Sequence, residues 1–262
     1  MKRSLAVWTA WLSAVLACTI CLPVHAAVIV NGGFEAGFAG WTRADQLGSD
    51  GTFLLQTGTS SPVNSNPVPA PPQGTTAAMT DAMGPGSHVL YQDFVVTGPV
   101  TPTNLVFSLF VGNRATAFSV PNPASLDFST PALNQQARVD ILTAAADPFS
   151  VSASDVLLNL FRTLAGDPLI SGYTNFAVDV TALLDAHVSE TLRLRFAEVD
   201  NVNIFQLGVD NVAFAASPSA TVSEPPSFPL ALAALLSFMW VSGRIKKIRV
   251  QLLFQRRAMG HL

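Results

Sequence analysis

Cysteine is nearly absent from this chain. Its two cysteines, Cys18 and Cys21, lie inside the first hydrophobic stretch. If that stretch is removed, the remaining protein has no disulfide, no cysteine-based metal site and no cysteine nucleophile. Its stability must then come from packing, with or without the help of a metal ion.

Positive charge is scarce between the two ends. Residues 4–243 contain six arginines, no lysine and all 17 acidic residues, which gives this stretch a net charge of −11. Such a surface repels a phosphate backbone, so we do not expect this protein to bind nucleic acid. The acidic side chains suit divalent cations, or simply keep an exported domain soluble.

Catalytic motifs are also missing. His88 and His187 are the histidines of the middle region, and neither belongs to an H-E-x-x-H spacing; no G-x-S-x-G elbow occurs. We expect both to be ordinary surface or half-buried histidines. We assign no catalytic residue, although counting alone does not exclude a glycosidase-type carboxylate pair.

Tryptophan and tyrosine are few. Trp41 is the one tryptophan of the middle region, which also has two tyrosines, Tyr91 and Tyr173. The position of Trp41 beside a turn suits the core. Platforms that stack on sugar rings usually use exposed tryptophan or tyrosine, so this scarcity disfavours a lectin.

The N-terminus has the order of a secretory signal peptide. Met1-Lys2-Arg3 is a basic n-region, residues 5–22 are apolar, and Val24-His25-Ala26 resembles a cleavage site. We predict a signal peptide over 1–26. The alternatives are a retained membrane helix, since about 18 apolar residues can just span a bilayer, and lipidation at Cys18, whose preceding residues fit a lipobox poorly.

The middle of the chain predicts an all-β fold. Short apolar or alternating runs are separated by turns rich in Gly, Pro and Asn. This pattern indicates a single jelly-roll β-sandwich over 27–217, flanked by the signal peptide and a C-terminal hydrophobic helix. The predicted strands are 28–30, 52–56, 89–96, 105–111, 138–142, 191–197 and 205–214.

Three segments depart from this pattern. Residues 154–162 predict a short helix with Ser154 as its N-cap, and residues 180–186 predict a helical turn. Residues 57–74 contain five prolines and predict a long exposed loop. We interpret this loop as a tolerated insertion rather than a ligand-gripping loop.

Two motifs resemble the opening and closing segments of galactose-binding-like jelly rolls, which include several carbohydrate-binding modules. The first is Asn31-Gly32-Gly33-Phe34-Glu35 with Gly40-Trp41, and the second is Leu207-Gly208-Val209-Asp210-Asn211-Val212. Residues 192–201 resemble a segment of exported proteins that carry a PEP-CTERM sorting signal.

This resemblance implies a structural calcium ion held by Glu35 and Asp210, because the terminal strands of such folds lie close together. Backbone carbonyls would complete the oxygen shell. The alternative is that Glu35 only accepts hydrogen bonds from turn amides while Asp210 is solvated.

The C-terminus combines three features in order. Ser223-Glu224-Pro225 precedes an apolar stretch at about 228–243, and a basic cluster follows it. The cluster consists of Arg244, Lys246, Lys247 and Arg249. A short helix followed by positive charge is retained in the inner membrane with the basic end in the cytoplasm.

This order resembles a PEP-CTERM signal, which implies an exosortase-type enzyme as partner and a transient stay in the inner membrane. The chain differs in having Ser223 in place of proline and in extending thirteen residues beyond Arg249. The alternative is an uncleaved C-terminal anchor over the segment 218–262.

Together these features predict a non-enzymatic protein of the cell surface or extracellular matrix of a Gram-negative bacterium. Calcium and exopolysaccharide are its expected cofactor and partner. The alternatives are a carbohydrate-binding module proper and, from another class, an extracellular polysaccharide hydrolase.

Overall fold

The computed structural model describes residues 27–98 and 101–217. Over these residues the chain forms ten β-strands and one short helix. They are β1 (Thr42–Asp45), β2 (Thr52–Thr57), β3 (Thr76–Asp81), β4 (Gly86–Val95), β5 (Thr103–Asn113), β6 (Gln135–Thr143), β7 (Val156–Arg162), β8 (Thr174–Asp179), α1 (Thr181–Ala186), β9 (Thr191–Asp200) and β10 (Phe205–Ala216).

The strands form two five-stranded antiparallel sheets. Sheet 1 has the order β1-β4-β9-β6-β7, and sheet 2 has the order β2-β3-β10-β5-β8. The two sheets form a sandwich of the jelly-roll type, which confirms the predicted fold class. The chain divides into two units after Ser217, and all described residues belong to the first. Within them, no helix is both long and apolar enough to cross a membrane.

The core lies between the sheets because apolar residues occupy alternate positions on the central strands. Leu105, Phe107 and Leu109 of β5 and Leu194 and Phe196 of β9 are each at most 1% exposed. The rings of Phe107 and Phe196 meet edge to face with their centroids 5.8 Å apart. This is a favoured aromatic arrangement, so the contact stabilises the pairing of the two sheets.

The outer face of sheet 1 is covered by the β6–β7 connection. Arg195, which is fully buried, donates from Nη1 to the carbonyl oxygens of Pro148 and Ser150 at 2.7 and 2.6 Å. Arg193 donates from Nη1 to the carbonyl of Ala146 at 2.9 Å. Two arginines of β9 therefore hold this connection against the sheet.

The outer face of sheet 2 is covered by the loop predicted at 57–74. Val68 is 5% exposed and packs on Met79 of β3. The backbone N–H of Val63 donates to Oδ2 of Asp81 at 2.6 Å. The prediction of a loop is confirmed, but its full exposure is wrong, because this part of it lies on the sheet.

The predicted helix over 154–162 is wrong. Residues Val156–Arg162 form strand β7, which pairs with β6 at the edge of sheet 1, and Ser154 caps no helix. Leu157, Leu158, Leu160 and Phe161 all pack against the core. An apolar run of this kind is compatible with the period of a helix and with that of a strand. The segment forms a strand because the edge of β6 offers it hydrogen-bonding partners.

The predicted strand over 28–30 is also absent. Val30 pairs instead with a side chain: its N–H donates to Oε1 of Gln92 at 2.7 Å, and its carbonyl accepts from Nε2 at 2.9 Å. The helical turn predicted at 180–186 is confirmed as α1. The other six predicted strands correspond to β2, β4, β5, β6, β9 and β10.

Candidate functional site

The turn that follows Ala27 is held together by Asn31. Its Nδ2 donates to the carbonyl of Gly37 at 2.8 Å, and its Oδ1 accepts from the N–H of Ala36 at 3.1 Å. Its carbonyl accepts from Nε1 of Trp41 at 3.1 Å. Trp41 is 7% exposed, so the predicted core position of this tryptophan is confirmed.

Close backbone approach explains the glycines of this motif. A Cβ atom placed on Gly32 would lie 1.8 Å from the carbonyl oxygen of Val212, and the N–H of Val212 donates to the carbonyl of Gly32 at 3.0 Å. Gly32 thus joins the first turn to β10. This contact brings the segment containing Glu35 beside the segment containing Asp210.

Glu35 binds the start of β3. Its Oε1 accepts from the N–H groups of Thr75 and Thr76, each at 2.8 Å, and its Oε2 accepts from the hydroxyl of Thr75 at 2.9 Å. These hydrogen bonds, led by that from the Thr75 N–H, lower the pKa of Glu35 below its usual value. Glu35 therefore accepts hydrogen bonds from turn amides, as the alternative interpretation expected.

Asp210 is fully buried on β10, contrary to that alternative. It accepts hydrogen bonds from the N–H of Gln73 at 3.0 Å and from its neighbour Asn211 at 2.6 Å. Burial, with a contribution from the negative charge of Glu35, raises its pKa to about 6. Glu35 and Asp210 thus bind adjacent parts of the same 73–76 segment and repel each other.

The chemistry of this corner fits a hard cation. A Cβ on Gly33 would lie 2.7 Å from Oε1 of Gln73 and 3.8 Å from Oδ1 of Asp210, so both side chains approach Gly33 at this corner. Carboxylate and amide oxygens are the ligands that calcium prefers. In residues 27–98 and 101–217 no group of three or more His, Cys, Asp or Glu could hold a metal. A calcium ion here would depend on Glu35, Asp210 and neutral oxygens.

A cleft opens between the sheets where β7 and β8 form their adjacent edges. It has a volume of about 250 Å³. The rings of Phe161 and Phe176 lie in its wall with their centroids 5.2 Å apart. The full lining is Leu109, Val111, Phe118, Phe161, Thr163, Asp167, Pro168, Ser171, Thr174 and Phe176.

Polar groups line the rim of this cleft. Asp167 is its sole carboxylate, and its Oδ2 accepts from the N–H of Leu164 at 2.7 Å. Ser171 donates its N–H to the carbonyl of Val111 at 2.9 Å, which fixes the 163–173 connection along β5. A single carboxylate that is occupied by its own turn provides no acid–base pair.

Sequence reasoning missed this cleft. Phe161 was predicted in a helix, and Phe176 in no element at all. The two phenylalanines meet only because the last strands of both sheets end on the same side of the sandwich. Aromatic residues separated by fifteen positions carry no local signal of such a meeting.

The tryptophan and tyrosines of the domain offer little surface for stacking. The Tyr173 hydroxyl donates to Oε1 of Gln56 at 2.9 Å, and the guanidinium of Arg193 lies 4.1 Å from the ring centroid of Tyr91. Trp41 is in the core. Phe161 and Phe176, which are both half-buried, provide aromatic surface at the cleft.

The residues predicted for sorting lie outside the described part of the chain. They are Ser223, Glu224 and Pro225 and the basic cluster of Arg244, Lys246, Lys247 and Arg249. The predicted signal peptide, residues 1–26, also lies outside it.

Comparison with known proteins gives similarities of fold. No family model and no curated protein matches the chain, whereas 58 chains of solved structures match. The tailspike protein 4 enzymatically active domain of bacteriophage CBA120 is 12% identical with a TM-score of 0.38, and the match covers 71% of this chain and 21% of that one. The chain thus spans about a fifth of that relative.

Two other matches cover nearly all of the relative. The module TmCBM61, solved with β-1,4-galactotriose, is 10% identical with a TM-score of 0.37, covering 72% of this chain and 97% of that one. A Stig cyclase from Fischerella sp. TAU is 15% identical with a TM-score of 0.43, covering 75% and 100%. These similarities concern the sandwich fold and assign no ligand to this chain.

Proposed function

We propose that this chain is an exported, non-catalytic envelope or matrix protein whose β-sandwich binds a glycan in the cleft between β7 and β8. The observation that supports this proposal is the composition of the cleft. Phe161 and Phe176 are half-buried and offer apolar ring surface, and the half-buried Ser171 and the exposed Thr174 offer hydroxyl groups. A sugar ring presents the same combination of an apolar face and a hydroxyl edge.

The size of the cleft favours a short ligand segment. Its volume of about 250 Å³ lies just below the range of about 300–1,000 Å³ that is usual for drug-sized ligands. One sugar ring at a chain end, or one ring of a polymer that passes the edge of the sandwich, therefore fits the cleft better than a long buried oligosaccharide.

Replacing Phe161 with alanine is expected to weaken glycan binding about tenfold, because loss of one stacking face removes roughly 1.4 kcal/mol. The measurement is calorimetric titration of the purified protein with a panel of neutral and acidic exopolysaccharide fragments. Phe149→Ala is the matched control, since Phe149 is half-buried on the outer face of sheet 1. If the folded wild-type protein binds none of these glycans, the proposal of a glycan ligand is wrong.

We also propose that the C-terminus acts as a PEP-CTERM-like sorting signal. Its support is the order of a Ser-Glu-Pro motif, an apolar stretch and a basic cluster within 223–249. Such a helix holds the motif on the outer side of the inner membrane, where an exosortase-type enzyme can cut it.

The sorting proposal predicts the mass of the mature protein. Intact-mass analysis of the native protein should show loss of residues 1–26 and of the chain beyond the Ser223-Glu224-Pro225 motif, including the segment from Arg244 to Leu262. Glu224→Ala should leave the full C-terminus in the membrane fraction, whereas Ser227→Ala should be processed normally. A native protein that retains Arg244 to Leu262 would instead be an ordinary anchored protein.

We further propose that a structural calcium ion is held by Glu35 and Asp210. A bound cation would neutralise the repulsion between the two carboxylates and tie the first turn to β10. Its role would be to stabilise the fold at one corner and not to take part in chemistry.

A further inference from the structure

At one end of the sandwich, His88 of β4 and Glu198 of β9 are directly opposed. They are Cα partners in sheet 1, and each is 1% exposed. Each lies two positions from a core residue of its own strand, Leu90 or Phe196. Both side chains therefore enter the sandwich interior, with Cβ atoms about 4.5–5.5 Å apart, as is usual for directly opposed residues.

One nitrogen of His88 has a partner and the other has none. Nδ1 lies 2.7 Å from Oδ1 of Asp45, which is 35% exposed. Because a carboxylate can only accept, the ring proton belongs on Nδ1. Nε2 is buried and, among the described residues, makes no hydrogen bond. It lies beside Gly86, since a Cβ atom placed on that glycine would be 2.3 Å from it.

Glu198 has a similar unpaired atom. The Oγ1 atom of Thr80 accepts from the N–H of Leu207 at 2.8 Å, so its proton is directed to Glu198. The other carboxyl oxygen, Oε1, is buried and has no partner within the described residues.

Acidic groups dominate the surroundings of Glu198. Asp200 on β9 acts electrostatically on Glu198, and His88 on β4 and Asp50 after β1 act in turn on Asp200. Asp45 on β1 is the Cα partner of His88, and Ala137 on β6 is a Cα partner of Glu198. Thr80 on β3 donates a hydrogen bond to Glu198 and accepts one from the N–H of Leu207 on β10. Arg43, the basic residue of β1, is directed elsewhere: it donates to the carbonyl of Phe53 at 2.9 Å.

We propose that Glu198 is a neutral carboxylic acid that donates its proton to Nε2 of His88, so that Glu198, His88 and Asp45 form a hydrogen-bonded chain from the core to the surface. Rotation of the Glu198 carboxyl group lets the two unpaired atoms satisfy each other. In this chain Glu198 is the donor, His88 accepts at Nε2 and donates from Nδ1, and Asp45 is the final acceptor. The buried end of the sandwich then contains no unpaired polar atom from this pair.

The electrostatics of the region agree with this arrangement. Burial, followed by the nearby charge of Asp200, raises the pKa of Glu198 well above its usual value. Burial also raises the pKa of Asp200 to about 7. Oδ1 of Asp200 accepts from the N–H of Gly86 at 2.8 Å. Both acids therefore favour the protonated state in the folded protein.

The sign of the pH effect follows from these directions. An acid whose pKa is higher in the folded than in the unfolded state stabilises the fold fully below its unfolded pKa. That stability is lost as the pH rises through the folded pKa. The free energy of unfolding of the domain should accordingly decrease when the pH rises from about 5 to about 8.

Infrared and NMR spectroscopy of the purified protein test the chain directly. At about pH 8, above the pKa of about 7 of Asp200, the wild type should show the carbonyl stretch of a protonated carboxylic acid, and Glu198→Gln should remove it. Nitrogen-15 shifts of His88 should report a neutral ring protonated at Nδ1. Glu190→Gln is the matched control, because Glu190 is 59% exposed and pairs with His187 at 2.9 Å; the carbonyl band should survive it.

Thermal unfolding gives an independent readout. The Tm of the wild type should fall by several degrees between about pH 5 and pH 8, and Glu198→Gln should reduce this fall while Glu190→Gln leaves it unchanged. An ionised Glu198 beside a doubly protonated His88 at neutral pH would overturn the proposal. The wild-type spectra decide this even if the Glu198 variant fails to fold.

Discussion

Replacing Asp140 with alanine is expected to lower the free energy of unfolding by about 3–5 kcal/mol, because it leaves the buried charge of Arg195 without its counter-ion. Asp140 and Arg195 are both fully buried on the outer face of sheet 1, and Nη2 of Arg195 donates to Oδ2 of Asp140. Arg138 donates to both carboxylate oxygens of Asp140 at 2.7 and 2.8 Å. One carboxylate thus serves two guanidinium groups.

Urea denaturation of the wild type and Asp140→Ala measures this effect. The control is Asp93→Ala, which breaks the pair between Asp93 and Arg193. Because the side chain of Asp93 is 40% exposed, its loss should cost about 1 kcal/mol or less. Equal losses of unfolding free energy in the two variants would mean that the buried Asp140–Arg195 pair stabilises the fold no more than an ordinary surface ion pair does.

Asp140 also determines how the domain responds to acid. Burial opposes its ionisation, but the guanidinium groups of Arg138 and Arg195 outweigh burial and hold its pKa below the usual range. Its stabilisation is present above the unfolded pKa and is lost as the pH falls through the folded pKa. Asp200 has the opposite sign, so the domain is expected to be most stable in mild acid, between the two effects.

The central strands could be predicted well from the sequence because they are long and because their apolar residues recur at every second position. β4, β5 and β9 are long and carry apolar residues at most of their inward positions, so their period of two can be recognised in the sequence. The short strands gave no such signal. β3 contains Thr76-Ala77-Ala78-Met79-Thr80, whose two alanines have low strand propensity. It forms because β2 and β10 offer hydrogen-bonding edges on both sides.

The candidate residues differ in how far sequence could predict them. The resemblance of the two terminal motifs to galactose-binding-like jelly rolls predicted that Glu35 and Asp210 lie close together, and the structure places both against the 73–76 segment. The role of the 73–76 segment was not, because it follows a loop without local periodicity. The charges around a residue are determined by neighbouring strands that are distant from it in the sequence.

His88 illustrates this limit. The sequence predicted an ordinary surface or half-buried histidine, which is wrong, since the structure buries it beside Asp45 and opposite Glu198. A single histidine without metal-ligand spacing has no neighbours in the sequence that reveal its environment. Its two partners lie 43 and 110 positions away, on β1 and β9.

Calcium is expected to raise the Tm of the protein, and chelation to lower it, if Glu35 and Asp210 hold a structural ion. At a free calcium concentration about 100-fold above the dissociation constant, binding would stabilise the fold by roughly 2.7 kcal/mol. The ion would bind the ionised form of Asp210, whose pKa is about 6. Because protons compete with calcium for this carboxylate, the Tm difference should shrink below about pH 6.

Differential scanning calorimetry with calcium or a chelator, at about pH 8 and pH 5, tests this prediction. Asp210→Asn should abolish the calcium-dependent change in Tm, because it removes one of two charged ligands. Asp185→Asn is the matched control, since Asp185 is exposed on α1 and should leave the change intact. Identical Tm values with and without chelator at about pH 8 would show that the Glu35–Asp210 corner is closed by hydrogen bonds alone. The 73–76 segment would then be the element that joins the first turn to β10.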